Sequence, residues 1–335
     1  MPEFGFPTQH RHYSMSSLIS SLRDRGDDVR VEAVTARYSD VTRELGGHVD
    51  ELMQIEKSLG DLFGYSEAIS LAESRATTIQ SALSRITSIA QVLADTTDLL
   101  TTNGTDQDFK AVSIQAREDF GSVVSSLNVQ FAGRSLFAGD DSNGLAIADA
   151  SSIQAASVPF LESAGSANAA YASLVAEFTN PGATFDSVIF QGGPGTAPYA
   201  EVAPGERVDY NVRADEIALR EVLANVIALG AAYDPSNSIP DSQRRQLAEL
   251  ASDGLRSNIS QIIGIQGRVG SAEARIANLK ARNTANEASL TIAFNKLAGA
   301  DQLDSTLELT ELERQLETAF ATTARMSNLS LVNFL

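Results

Sequence analysis

One apolar stripe constrains this chain more than any other feature. It runs Ile69, Ala72, Ala76, Ile79, Leu83, Ile86, Ala90, Leu93, Thr97, Leu100, with steps that alternate three and four without a miss. That spacing brings every member to one narrow face of an α-helix. A stripe of two positions in seven cannot bury itself, so the helix needs a partner helix. Asn103-Gly104 predicts the stop, because the residue after a helix tends to turn left-handed. Asp106 is the expected N-cap of a second helix carrying Phe109, Val112, Ala116, Phe120, Val123, Leu127 and Phe131. A short polar connection makes two such helices antiparallel neighbours.

The C-terminal third repeats the pattern. Ile262, Ile265, Val269, Ala272, Ile276 and Leu279 lead to Leu290, Ala293 and Leu297 in the same register. Asn283 and Asn286 fall on this seam, where a polar residue weakens a coiled coil and fixes its register. The phase slips near Gly299, and a second stripe begins with Leu309, Leu312, Leu316, Ala319, Thr323 and Met326. The tail Leu329-Ser330-Leu331-Val332-Asn333-Phe334-Leu335 is apolar. Chain ends are normally polar and frayed unless something ties them down. Docking of the tail onto its own core is the ordinary expectation, but narrow seams that cannot bury themselves favour another molecule. The expected assembly surface is therefore Leu309, Leu312, Leu316, Met326, Leu329, Leu331, Phe334 and Leu335.

Between the helical ends, from Gly139 to about Asn237, the chain turns rich in Gly, Pro, Ala and Asp. Ser187-Val188-Ile189-Phe190-Gln191 reads as a strand followed by the turn Gly192-Gly193-Pro194-Gly195. Val208, Tyr210 and Val212 alternate with Arg207, Asp209, Asn211 and Arg213, the period of a half-buried strand. A helix from about Asp215 to Tyr233 follows, with Leu219, Leu223, Val226 and Gly230 on one face. The expected fold is mainly α: long antiparallel coiled-coil-like helices from both chain ends, with a small mixed α/β central domain containing a β-hairpin.

The chain offers little chemistry. The net charge of −18 argues against nucleic acid and against an anionic membrane surface, since no basic cluster exceeds Arg244-Arg245. The chain has no cysteine, which removes disulfides, thiolate nucleophiles and Cys-based zinc sites. Its three histidines, His10, His12 and His48, complete neither a metal set nor a Ser/His/Asp arrangement. Asp140 to Gly144 lacks the spacing and closing Glu of a calcium loop. Gly192 to Gly195 lacks the Lys-Ser/Thr of a phosphate loop. No apolar run reaches the roughly 20 residues of a membrane span. No basic segment followed by an apolar one marks a Sec signal peptide. We expect no enzyme, no cofactor and no metal.

The segment Asn128-Val129-Gln130-Phe131-Ala132-Gly133-Arg134-Ser135-Leu136-Phe137-Ala138-Gly139 resembles the end of the N-terminal helical region in the bacterial flagellin superfamily. The Phe137-Ala138-Gly139 form is closer to the hook-associated proteins of the hook–filament junction than to flagellin. Phe190-Gln191-Gly192-Gly193 with Val208 to Val212 is similar to the central β-hairpin of those proteins, and the tail from Leu329 to Leu335 is similar to their C-terminal signature. The stretch from Glu44 to Leu71 departs from the family, having neither a Ser-Gly-Lys turn nor an Asp-Asp-Pro element. The resemblance implies a structural subunit of the flagellum, connecting hook to filament, with flagellin itself or a non-flagellar coiled-coil scaffold as alternatives. It implies terminal coiled-coil segments at 1–45 and 300–335, a long-helix bundle at 46–138 and 238–299, and an outer domain at 139–237. The implied partners are copies of the chain itself in a ring or helical layer, the other junction protein, flagellin, and an export chaperone before secretion. It also implies an extracellular location, reached through the flagellar type III apparatus without a cleaved signal.

Overall fold

The computed structural model describes residues 6–141, 143–195 and 199–332, and the side chains of 13–47, 49–141, 143–195, 199 and 201–325. The chain divides into a terminal unit, Met1–Gly64 with Asn283–Leu335, and a core unit, Tyr65–Arg282. In chain order the elements are α1 (Phe6–Thr35), α2 (Val41–Leu45), α3 (Val49–Asn103), α4 (Asp106–Leu127), β1 (Gln130–Phe131) and β2 (Arg134–Ser135). Then come α5 (Ala150–Glu162), α6 (Ala167–Thr179), a π turn (Phe185–Ile189), β3 (Ala200–Ala203) and β4 (Glu206–Val208). Helices α7 (Ile217–Ala232), α8 (Asp241–Ala298) and α9 (Gln302–Val332) complete the chain. The protein is mainly α, with long helices packed on one another and two short antiparallel hairpins, β1–β2 and β3–β4.

In the core unit α3 and α8 run antiparallel. Ser252 donates to the Ala94 carbonyl, Gln266 to Ser84, Thr77 to Glu273, and Lys280 to Glu73. Between these contacts the two predicted stripes are buried, from Ile69 to Leu93 on α3 and from Ile262 to Leu279 on α8. Alanine at 72, 76, 90 and 272 keeps the seam narrow. Helix α4 returns along α3, where Arg85 donates to Ser122. Its N-cap is Thr105, one residue before the predicted Asp106: Thr105 and Asp108 form a capping box, which Asp106 cannot reproduce without a second acid or Gln three residues on.

The centre of the core unit is α7. The sequence predicts one apolar face for it, yet nearly its whole circumference is buried, from Ala218 to Ala232. The cause is its neighbours: α4, α5 and α6 pack on it, and on α8 the Asn258 side chain pairs with Asn225 of α7. Phe109, Phe120, Phe137, Phe178 and Phe185 are the largest fully buried side chains of the core unit. At the crossing with α4, a Cβ on Gly230 would come within 2.8 Å of the Arg117 side chain, so glycine sets how closely these helices approach.

The middle of the chain departs from its sequence pattern at two places. Ser187–Gln191 is not a strand: Phe185–Ile189 is a π turn, and only Phe190 forms a bridge, with Ile147. The turn puts both Phe185 and Ile189 in the core, while a strand would also have turned Ser187 inward; instead Ser187 donates to the Ala183 carbonyl. The alternation from Val208 onward is real in burial, since Val208, Tyr210, Val212 and Ala214 are all buried. Only Glu206–Val208 pairs with a strand, however, and Ala214 donates instead to the Phe137 carbonyl. Helices α5 and α6 lie in a stretch where composition suggests turns.

Candidate assembly interface

The terminal unit is built on α1 and α9. They run antiparallel: Gln302 donates to the Ala33 carbonyl, Arg25 to Glu308 at 2.9 Å, and the Arg23 guanidinium lies 5.1 Å from the Phe320 ring. Helix α1 turns toward solvent with Tyr13, Leu18 and Val34 and turns inward with Met15, Ile19, Leu22, Gly26, Val29 and Ala33. These inward positions also step by three and four, so α1 carries a seam that its Ser, Arg and Asp content conceals in the sequence. Helix α9 offers Leu309, Leu312, Leu316, Ala319 and Thr323 to it.

At the far end of this pair the chain is tied to the end of α8. Arg37 bridges Gly299, Ala300 donates to the Ala36 carbonyl, and Tyr38 to that of Ala298. Ala36 takes a left-handed φ of 55°, a conformation that costs a non-glycine residue and is held by this cluster of backbone bonds. Glu32 is buried and accepts from the Ser39 amide. Of the two seam asparagines, Asn283 is buried and donates to the Leu62 carbonyl at 2.9 Å. Asn286 is exposed, so the predicted polar seam has one member rather than two. The α3 part of this unit extends the seam with Leu52, Ile55, Leu59 and Leu62.

Of the predicted assembly residues, Leu309, Leu312 and Leu316 come together. With Arg23, Gly26, Asp27, Arg30 and Glu313 they line an open groove of about 260 Å³ between α1 and α9. Charges frame it: Arg25 pairs with Glu308, and its pKa is raised chiefly by that hydrogen bond. On the outer face Arg314 donates to Glu311 and holds its pKa down at about 2, so the pair stays charged at any ordinary pH. Met326, Leu329 and Leu331 belong to α9 but lie outside the described side chains, and Phe334 and Leu335 lie outside the described residues.

The unit leaves much apolar surface open. Val34 is 76% exposed, Ile292 69% and Leu303 68%, and Leu18, Phe63 and Leu307 are exposed as well. Among the described side chains its buried hydrophobics are Val29, Leu52, Ala298, Ala300, Leu312 and Ala319, half of them alanine. Scattered surface leucines need no explanation, but a helix pair with this little core and this much open apolar surface does.

The segment that carries the family resemblance proves to be a structural knot of the core unit. Asn128 caps α4, donates to the Ile147 carbonyl and accepts from the Ala146 and Ile147 amides. Ala132 and Gly133, both at positive φ, turn the chain between β1 and β2, as a primed two-residue turn requires. Leu136, Phe137 and Ala138 then enter the core. Gly139 sits at φ 71°, where a Cβ would come within 2.8 Å of the Gly193 and Gly195 carbonyls. Arg213 donates to the Pro194 carbonyl and Asp140 accepts from the Gly195 amide. The glycine run 192–195 thus serves close backbone approach.

Among the described residues no group of His, Asp and Glu is placed to hold a metal ion. A second open cleft, of about 320 Å³, lies in the core unit beside the Arg117–Asp234 ion pair. No helix among the described residues is long and apolar enough to cross a membrane.

Comparison with known proteins comes down to fold. No protein-family model matches the chain, and no curated protein sequence does. Among solved structures it is similar to a provisionally assigned flagellar hook-associated protein of Vibrio parahaemolyticus: 13% identity, a TM-score of 0.51, covering 73% of this chain and 95% of that one. Bacillus cereus FlgL aligns over 74% of this chain and 97% of its own at 14% identity, with a TM-score of 0.42. The chain therefore shares the long-helix fold of the Vibrio protein over nearly all of that protein's length.

Proposed function

We propose that this chain is a structural subunit of the bacterial flagellum, a junction protein that connects hook to filament. The observation that carries the proposal is the terminal unit: α1 and α9 pair through a thin seam, and leave Leu309, Leu312 and Leu316 along an open groove beside further exposed apolar side chains. Such a pair gains most of its burial from other subunits. The shared fold with a flagellar hook-associated protein supports the same reading.

In this proposal residues 1–45 and 300–335 are the assembly segments, 46–138 and 238–299 the long-helix bundle, and 139–237 the domain that faces outward. Met326, Leu329, Leu331, Phe334 and Leu335 continue the contact surface begun by Leu309. The subunits form a ring or helical layer between the other junction protein and flagellin. Before that an export chaperone holds them, and they leave through the flagellar type III apparatus without a cleaved signal. The protein performs no catalysis.

Electron microscopy of cells lacking the gene tests this. Bare hooks with flagellin shed into the medium are the expected result. Missing filaments without shed flagellin identify the chain as flagellin, and normal motile filaments exclude a flagellar role.

A further inference from the structure

The sequence Asn-Gly occurs at two places, Asn103-Gly104 and Asn143-Gly144, and the structure treats them oppositely. We infer that Asn143 is a site of spontaneous, structure-gated deamidation, while Asn103 is shielded from the same chemistry. In the reaction the Gly amide nitrogen loses its proton and attacks the Asn side-chain carbonyl carbon. Ammonia leaves and a five-membered succinimide forms. Water then opens the ring at either carbonyl, giving aspartate or isoaspartate, and no oxidant or cofactor is needed.

The nucleophile must be free to turn toward the side chain. At the first site Asn103 is the last residue of α3, and the Gly104 amide donates to the Leu100 carbonyl at 2.7 Å. A helical backbone and an engaged amide both keep the ring from closing. Gly104 is also crowded, since a Cβ there would come within 2.6 Å of Leu100. At the second site both Asn143 and Gly144 are exposed. Asn143 lies in a turn outside any helix, and nothing lies within 4 Å of a Cβ built at Gly144.

Conversion places a carboxylate three residues from Asp140, whose own carboxylate accepts from the Gly195 amide. The isoaspartate form also adds a methylene to the backbone between Gly139 and the Ala146–Ile147 segment that Asn128 clamps. Deamidation thus alters charge and backbone length on an exposed turn without touching the buried core.

The test is to age the purified full-length chain in warm, mildly alkaline buffer and map both sites by peptide mass spectrometry with isoaspartate labelling. Asn143 is expected to convert about tenfold faster than Asn103 or more, because Asn103 must first break a hydrogen bond and unwind a helix end. In urea-unfolded chain the two rates should converge. Gly144→Ala should slow the reaction at Asn143 and leave Asn103 unchanged. Equal rates in the folded protein overturn the inference, as does a rate difference that persists after unfolding.

Discussion

The core unit and the terminal unit are made from the same kind of helix and reach opposite solutions. Helices α3, α4, α7 and α8 of the core unit share one continuous apolar cluster, with five phenylalanines wholly buried and α7 covered on nearly every side. In the terminal unit α1 and α9 meet along a seam whose members are mostly half-buried. None of its described residues belongs to the main cluster. The heptad spacing is alike in both; what differs is the number of helices available to cover each stripe. Three or more neighbours make a fold that stands alone, and a single neighbour leaves a helix pair with much of its apolar surface open.

The largest expected effect separates the two units by outcome. Leu312→Asp together with Leu316→Asp should abolish assembly, because a carboxylate forced into an apolar seam is costly to desolvate. Hydrogen-exchange protection of α4 and α7 should stay unchanged. Loss of that protection in the variant would break the comparison, as would normal assembly. Phe120→Ala should do the reverse, costing about 3–5 kcal/mol of core-unit stability by leaving a cavity at a wholly buried position. Denaturant unfolding measures it.

Smaller effects sharpen the picture of the core. Asn225 donates to Asn258, Asn258 donates to Glu221, and the Tyr171 hydroxyl donates to Asn225, a polar chain linking α6, α7 and α8. Asn258→Ala strands Asn225 and should cost about 1–3 kcal/mol, again read by denaturant unfolding. The smallest effect is alkaline. Burial, with the Asp106 charge as a second cause, raises the Tyr233 pKa from 10.0 to about 12. Between those values the unfolded chain gives up a proton that the native chain keeps, so stability falls as pH rises through that window and is fully present below it. Thermal melts of Tyr233→Phe should show a shallower decline over the same range.

Legibility in the sequence follows the same division. The stripes on α3, α4 and α8 are dense and apolar, and burial follows the predicted positions closely except at Phe131, which lies beyond the end of α4 in β1 and is only half-buried. The seam on α1 is hard to read because Ser, Arg and Asp crowd it, although Met15, Ile19, Leu22, Gly26 and Val29 keep the spacing. In the middle, Ala-rich α5 and α6 are hidden by the Gly and Pro of their flanking loops. Ser187 to Gln191 looks like a strand because β-branched and aromatic residues suit one; tertiary packing instead selects a π turn over Phe185–Ile189 that buries two side chains four residues apart. Of the proposed assembly residues, Leu309, Leu312 and Leu316 are readable from their steps of three and four. Their groove is not, since it depends on Gly26 and the charged side chains of α1.

The most direct test of the central claim is amide hydrogen exchange on the purified monomer and on assembled material. In the monomer, α1 and α9 should exchange far faster than α4 and α7, and assembly should protect α1 and α9 while leaving α4 and α7 unchanged. Equal protection of α1 and α7 in a proven monomer would contradict the claim that the terminal unit is completed by other subunits.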